Sequence, residues 1–164
     1  MCRVRTRELG RERRAVADAR REVVDMLERW DLPSLTRDAE LLVSELVTNA
    51  VVHGRSDVTL SLAVADGALE VGVTDLSPRR PGSAVAADWW AEGGRGLRLV
   101  DLLADEWGVA PIASGKQVWF RLAVDSNWPH RTDCPCQGDA LGRVRLESGR
   151  FAVPTPGPWD ADPG

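Results

Sequence analysis

Covalent and metal-bound scaffolding is what this sequence is shortest of. Its three cysteines, Cys2, Cys134 and Cys136, are too few for a disulfide framework. The Cys134-Pro135-Cys136 pair has no second cysteine pair and no clustered histidines to complete it, so it makes a poor zinc site. Long apolar runs are missing too, since no stretch approaches the ~20 residues of a membrane span. The start, Met1-Cys2-Arg3-Val4-Arg5-Thr6-Arg7, lacks the apolar segment of a secretory signal. These absences predict a cytoplasmic protein without membrane association.

Excess positive charge is also lacking, because the formal net charge is −4. It is unevenly spread: residues 1–22 hold eight Arg against Glu8, Glu12, Asp18 and Glu22, which makes this arm +4 and the remainder −8. The arginines are interleaved with acids and no aromatic residue accompanies them. A solvated helix or a contact for an acidic protein surface therefore explains the arm better than nucleic-acid binding.

What is present is enough for one domain and a tail. A chain of 164 residues, 43% of them hydrophobic, can bury a substantial core but has no room for a second catalytic domain. Val16, Ala19, Val23, Met26, Leu27 and Trp30 recur at spacings of three and four and predict an amphipathic helix over about 15–30. Asp31-Leu32-Pro33 should end it. Ser34 or Thr36 can cap a second helix that Gly54 closes. The period then changes to two. Val58, Leu60, Leu62 and Val64, the Asp66-Gly67 turn, and Leu69, Val71 and Val73 predict an antiparallel hairpin. A third helix follows Gly96, and strands over 107–112 and 118–124, joined by an Ala113–Lys116 turn, complete the core.

Three places in this frame carry chemistry. On the second helix Glu45 and Asn49 lie four residues apart and project from the same side. A carboxylate and an amide aimed at one point can supply a base and a neutral oxygen ligand for magnesium, although an isolated pair of this kind is more often a solvated helix face. Asp75 stands where the second hairpin strand leaves the sheet and can accept from a ligand amine, although a lone aspartate there is more often a turn former. In Gly93-Gly94-Arg95-Gly96-Leu97, closely spaced glycines enter a helix whose positive end can receive an anion, though glycines also serve ordinary turns. Residues 78–93, between the last two places, are rich in Pro, Gly, Ala and Arg, contain Trp89 and Trp90, and read as a lid.

Taken in order, Glu45-x-x-x-Asn49-Ala50 with His53-Gly54, then strand-Asp75, then Gly94-x-Gly96-Leu97, then Gly115-Lys116-x-Val118-Trp119 resemble the successive boxes of the GHKL or Bergerat-fold ATP-binding domain. The likeness is nearest to the small bacterial anti-sigma factors that are also serine protein kinases. It spans about residues 13–124, leaving 1–12 as a flexible basic arm and 125–164 as a mostly flexible tail with a small hairpin between 143 and 153. No single box is specific; four in order, each in a matching helix or strand context, are. The resemblance implies an α+β two-layer sandwich in which a mixed β-sheet is backed by three helices. It further implies that Mg2+ and ATP are bound, that Asn49 holds the magnesium, and that Glu45 acts as base or orients the attacking hydroxyl. Asp75 would accept from the adenine amino group, and Gly94, Arg95, Gly96 and Leu97 would wrap the phosphates, with His53 finishing the helix.

The implied partners are a sigma factor or similar regulator and a serine-bearing antagonist protein, and a homodimer is left open. Two positions depart from the family pattern. Ser77-Pro78 stands where a glycine commonly follows the adenine-binding acid, and Glu92-Gly93 stands where a basic residue often precedes the phosphate glycines. Without a cation on the transferring phosphate, binding can survive while transfer is lost. A nucleotide-gated binding module without kinase activity is therefore the alternative. A histidine kinase is disfavoured, since no helical phosphoacceptor domain precedes the ATP module in this sequence.

Overall fold

The computed structural model describes residues 3–54, 56–65, 67–75, 96–112, 115–125, 144–145 and 151–152. In chain order these form β1 (Arg3–Leu9), α1 (Arg14–Arg29), a 3-10 turn (Pro33–Leu35), α2 (Thr36–His53), β2 (Val58–Ala65) and β3 (Ala68–Asp75). After them come α3 (Gly96–Leu103), β4 (Glu106–Ile112), β5 (Gly115–Ala123) and the short pair β6 (Val144–Arg145) and β7 (Phe151–Ala152). The arrangement is α+β: five strands in the order β1-β2-β3-β5-β4 make one layer, and the helices make the other.

The alternation of each strand decides which side it turns to the helices. Val58, Leu60, Leu62 and Val64 of β2 stand opposite Asp75, Val73, Val71 and Leu69 of β3. These in turn oppose Lys116, Val118, Phe120 and Leu122 of β5. Side chains of one such row share a face, and the apolar members are buried with Leu42, Val43, Leu46 and Val47 of α2 in one core. Burying each of these four is worth about 1.5–3 kcal/mol relative to leaving it in water. α1 packs over β1 and β2, α2 over the sheet centre, and α3 beside α2 and β4.

The sheet is not mixed as expected: every pairing among the described strands is antiparallel. β3 and β4 do run in the same direction, as strands joined through a helix should, but β5 is inserted between them. The expected flexible arm is also corrected, because residues 3–9 pair along their whole length with β2, from Arg3 opposite Val64 to Leu9 opposite Val58. Its helix-facing row carries Arg5 and Arg7 before Leu9, so the alternation there is carried by arginine rather than by apolar residues. Glu22 of α1 completes that row. Its carboxylate accepts from Arg5 Nε at 2.5 Å and from Arg7 Nη1 at 2.5 Å.

The helices end where expected, at Asp31-Leu32 and at Gly54, but the end of α1 and the start of α2 are made differently. α1 stops because Asp31 adopts a left-handed conformation with φ 60°. The Leu32 N–H then bonds back to the Leu27 carbonyl at 2.9 Å and the Asp31 N–H to that of Glu28 at 3.1 Å, a Schellman closure in which Leu32 tucks into the core. Neither Ser34 nor Thr36 caps α2. The 3-10 turn feeds straight into the helix, with Leu35 at the cap position and no side-chain cap bond. Gly115 and Lys116, expected in a turn, belong to β5.

Candidate functional site

α2 ends over the open end of β3. Ala39, Leu42, Val43, Leu46, Val47 and Ala50 fix the rotation of the helix by facing the core. Glu45 and Asn49 consequently lie half-buried along the border of that apolar stripe, one turn apart. His53, a turn further on, is exposed. Gly54 follows the last turn, and its N–H bonds to the Ala50 carbonyl at 2.8 Å.

Asp75 closes β3 directly beneath this point. A Cβ built on Gly54 would lie 2.7 Å from both Cγ and Oδ2 of Asp75 and closer still to the Ala50 carbonyl oxygen. Only glycine lets the backbone approach the carboxylate this closely, so the helix end and the strand end meet through Gly54. The carboxylate is 2% exposed. Ser56 Oγ donates to its Oδ1 at 2.8 Å, whereas Oδ2 accepts no hydrogen bond from the described residues. Lys116 Nζ lies 3.5 Å from Oδ2, and this side chain is itself only 12% exposed. A buried carboxylate oxygen without a hydrogen bond is costly. Such an atom is a ready acceptor for a ligand amine.

α3 begins at Gly96, with Leu97 next, and packs beside α2. The other two members of the proposed phosphate loop, Gly94 and Arg95, lie outside the described residues. So do Ser77, Glu92, Trp89, Trp90 and the rest of the expected lid, as well as Cys2, Cys134 and Cys136. Among the described residues no group of three or more His, Cys, Asp and Glu could hold a metal by itself. A lone neutral oxygen such as that of Asn49 suits magnesium carried in on phosphates, since that ion keeps few protein ligands. The donor set at the end of α2 and β3 thus fits a magnesium nucleotide: an open buried acceptor for the base, and an amide and a carboxylate on the neighbouring helix face.

Sequence reasoning named Asp75, Glu45 and Asn49 as candidates but gave no sign of the company of Asp75. Ser56 gave no signal, being one residue in a short connection. Lys116 did, as the sole lysine of the chain, but its turn assignment hid that it stands directly opposite Asp75 in the β3–β5 register.

Residues 10–122 match the sequence model of the histidine kinase-like ATPase domain. No curated protein matches the chain. Among solved structures, the histidine kinase domain from the blue-light activated histidine kinase of Erythrobacter litoralis EL346 is similar. It is 24% identical over 67% of this chain and 59% of that one, with a TM-score of 0.46. The chain spans less than two thirds of the length of that solved relative. Among the described residues no helix is long and apolar enough to cross a membrane.

Proposed function

The chain belongs to the histidine kinase-like ATPase domain family, and from that premise we propose that it is an ATP-dependent regulatory switch acting as a serine protein kinase. The observation that carries this reading is the buried Asp75 carboxylate, whose Oδ2 accepts no hydrogen bond from the described residues, beneath the helix that presents Glu45 and Asn49. Bound Mg-ATP would supply the transferable phosphoryl group and the metal that neutralises its charge. Asp75 Oδ2 accepts from the adenine amino group. Asn49 would offer its amide oxygen to the magnesium, and Gly94, Arg95, Gly96 and Leu97 would hold the phosphates. Glu45, one turn before Asn49, takes the proton from, or orients, the hydroxyl of a partner serine. By analogy with anti-sigma factor kinases, that serine lies on an antagonist protein, and the regulated protein is a sigma factor or similar regulator.

A second reading, a nucleotide-gated binding module without transfer, is favoured by the position of Lys116. This half-buried cation lies at ion-pair distance from Asp75 at the base-reading end of the site, where it cannot serve the transferring phosphate. Two variants separate the readings. Asn49→Ala should lose magnesium-dependent ATP binding in calorimetry while keeping a cooperative melt, and unchanged affinity would remove Asn49 from the metal. Glu45→Ala should keep ATP but lose phosphate transfer to a partner captured from the native cell in the presence of ATP, because a base acts on the nucleophile rather than on ground-state binding. If the parent binds ATP and transfers nothing to the captured partner, the binding-module reading stands.

A further inference from the structure

The face of the sheet turned away from the helices is buried at its centre, although every described helix packs on the opposite face. Its rows run through Ala63, Glu70 and Arg121, through Ser61, Gly72, Trp119 and Gly108, and through Thr59, Thr74, Gln117 and Ala110. Ala63 is 3% exposed, Ser61 and Ala110 6%, and Gln117 0%. The Gln117 carboxamide lies flat across β3: a Cβ built on Gly72 would meet its Nε2 at 2.5 Å. That nitrogen donates to Ser61 Oγ at 3.4 Å and to Thr74 Oγ1 at 3.3 Å. Trp119, the next residue on this side of β5, leans the other way, over Gly108 of β4, and so does not roof the amide. A side chain standing on a sheet face keeps its upper surface in water unless something lies across it. Gln117 Oε1 is buried and accepts no hydrogen bond from the described residues, a need that an N–H group lying over the sheet would meet.

We propose that this face is an intramolecular docking surface and that its occupant is the segment after β5, residues 126–164, folded back across β2, β3, β5 and β4. The chain leaves β5 in the right place. Val124 N–H bonds to the Gly67 carbonyl at 2.8 Å in the β2–β3 turn, so the segment starts at one end of the strands it covers. Its described part points the same way, because β7 lies beside β4 without joining that sheet. Burial follows the same gradient: Ala110 of β4 is buried, whereas Val4 and Thr6 of β1, at the far edge of the same face, are exposed. Reach is ample, since residues 126–143 can span up to about 60 Å and five strands are about 20 Å across. The sequence of the segment supplies Trp128, Phe151 and Trp159 for the apolar surface around Ala63, Ala110 and Trp119, and an extended main chain offers N–H groups to Gln117 Oε1. Residues 76–95 are a poorer occupant, because they lead to α3 in the helix layer.

The cover is independent of the ATP reading and is tested without nucleotide. Arg131, Arg143, Arg145 and Arg150 give trypsin four cleavage sites in the segment. Their cutting in the full chain is followed bond by bond by mass spectrometry and compared with that in a synthetic peptide of residues 126–164. A docked segment is cut only when it opens, so the bonds at Arg143, Arg145 and Arg150 should be cut at least about tenfold more slowly in the protein than in the peptide. Ala110→Arg, which places a long charged side chain on the face, should bring the rate close to that of the peptide while the circular dichroism and the cooperative melt stay native. Ala63→Arg should do the same from β2 and serves where the first variant does not melt cooperatively. Cutting of the parent at the rate of the peptide overturns the proposal and leaves the face to residues 76–95 or to another molecule. Protection that persists in a cooperatively melting Arg variant overturns it as well, since the segment is then held elsewhere. Protection that weakens on dilution assigns the cover to a second copy of the chain and overturns the intramolecular form.

Discussion

Two buried carboxylates in this molecule have opposite surroundings. Glu22, on α1, receives a guanidinium on each oxygen, Arg5 on one and Arg7 on the other, both across from the edge strand. Asp75, at the end of β3, has a serine hydroxyl on one oxygen and, among the described residues, no hydrogen bond on the other, with Lys116 at ion-pair distance. Both are nearly inaccessible, at 4% and 2% exposure. Burial alone therefore does not distinguish a structural acid from a binding one; the completeness of the partner set does. The saturated acid ties the N-terminal strand to the helix layer, and the unsaturated one keeps an acceptor in reserve at the mouth of the sheet.

The comparison is broken most directly at Asp75. Asp75→Asn keeps the size of the side chain but turns part of the acceptor into a donor, which then faces another donor on adenine. We expect ATP affinity to fall roughly 10- to 100-fold, as when a hydrogen bond is replaced by a clash of like partners, and the preference for ATP over GTP to fall with it. Calorimetry at a temperature where the variant's circular dichroism is native would check this. Unaltered affinity and preference would mean that Asp75 is another structural acid.

Glu22→Gln should do the reverse, leaving nucleotide affinity unchanged and costing stability. Removing one charged partner from two hydrogen-bonded pairs whose arginines are about half exposed should cost about 1–2 kcal/mol at neutral pH, measured by chemical denaturation. The loss has a defined pH dependence. Burial alone would raise the Glu22 pKa, but hydrogen bonds from Arg5 and Arg7 and their positive charge outweigh it and hold the carboxyl below its ordinary 4.5. A depressed folded-state pKa stabilises the protein fully above the unfolded value and is lost as the pH falls through the folded one. The gap between the parent and Glu22→Gln should thus be constant above pH 4.5, narrow below it, and close at lower pH. A gap that persists unchanged in acid would deny the clamp its electrostatic origin.

The same contrast explains what could be read in the sequence. α1, α2 and the β2–β3 hairpin were legible because their apolar residues keep strict periods of 3.6 or 2. β1 was not, because its helix-facing row carries Arg5 and Arg7, and such a row makes sense only once Glu22 is seen across from it, fifteen and more residues away. Asp75 was legible from its place at a strand exit; its partners were not, since Ser56 and Lys116 reach it only through strand register and the tight approach at Gly54. Long-range pairing of polar groups leaves no periodic trace in a sequence, and both carboxylates depend on it. The insertion of β5 between β3 and β4 was hidden for a related reason, because pairing order is decided by contacts rather than by the pattern of any one strand.

A third acid sharpens the contrast by serving neither end. Asp31 is exposed and holds a left-handed backbone conformation at φ 60° to close α1. What the position needs is a backbone able to adopt that conformation, since the closing bonds at Leu32 and Asp31 are made by main-chain N–H groups. An L-residue pays steric energy there that glycine does not, although glycine gives back part of the gain through the greater freedom of its unfolded chain. Asp31→Gly should therefore raise stability by roughly 0.5 kcal/mol, seen as a small upward shift in melting temperature, with ATP affinity and its dependence on magnesium unchanged. A loss of stability would mean that the Asp31 side chain, not its backbone, holds the end of α1. A change in ATP affinity would mean that the geometry of α1 reaches the α2–β3 site, and the separation drawn between the two carboxylates would fail.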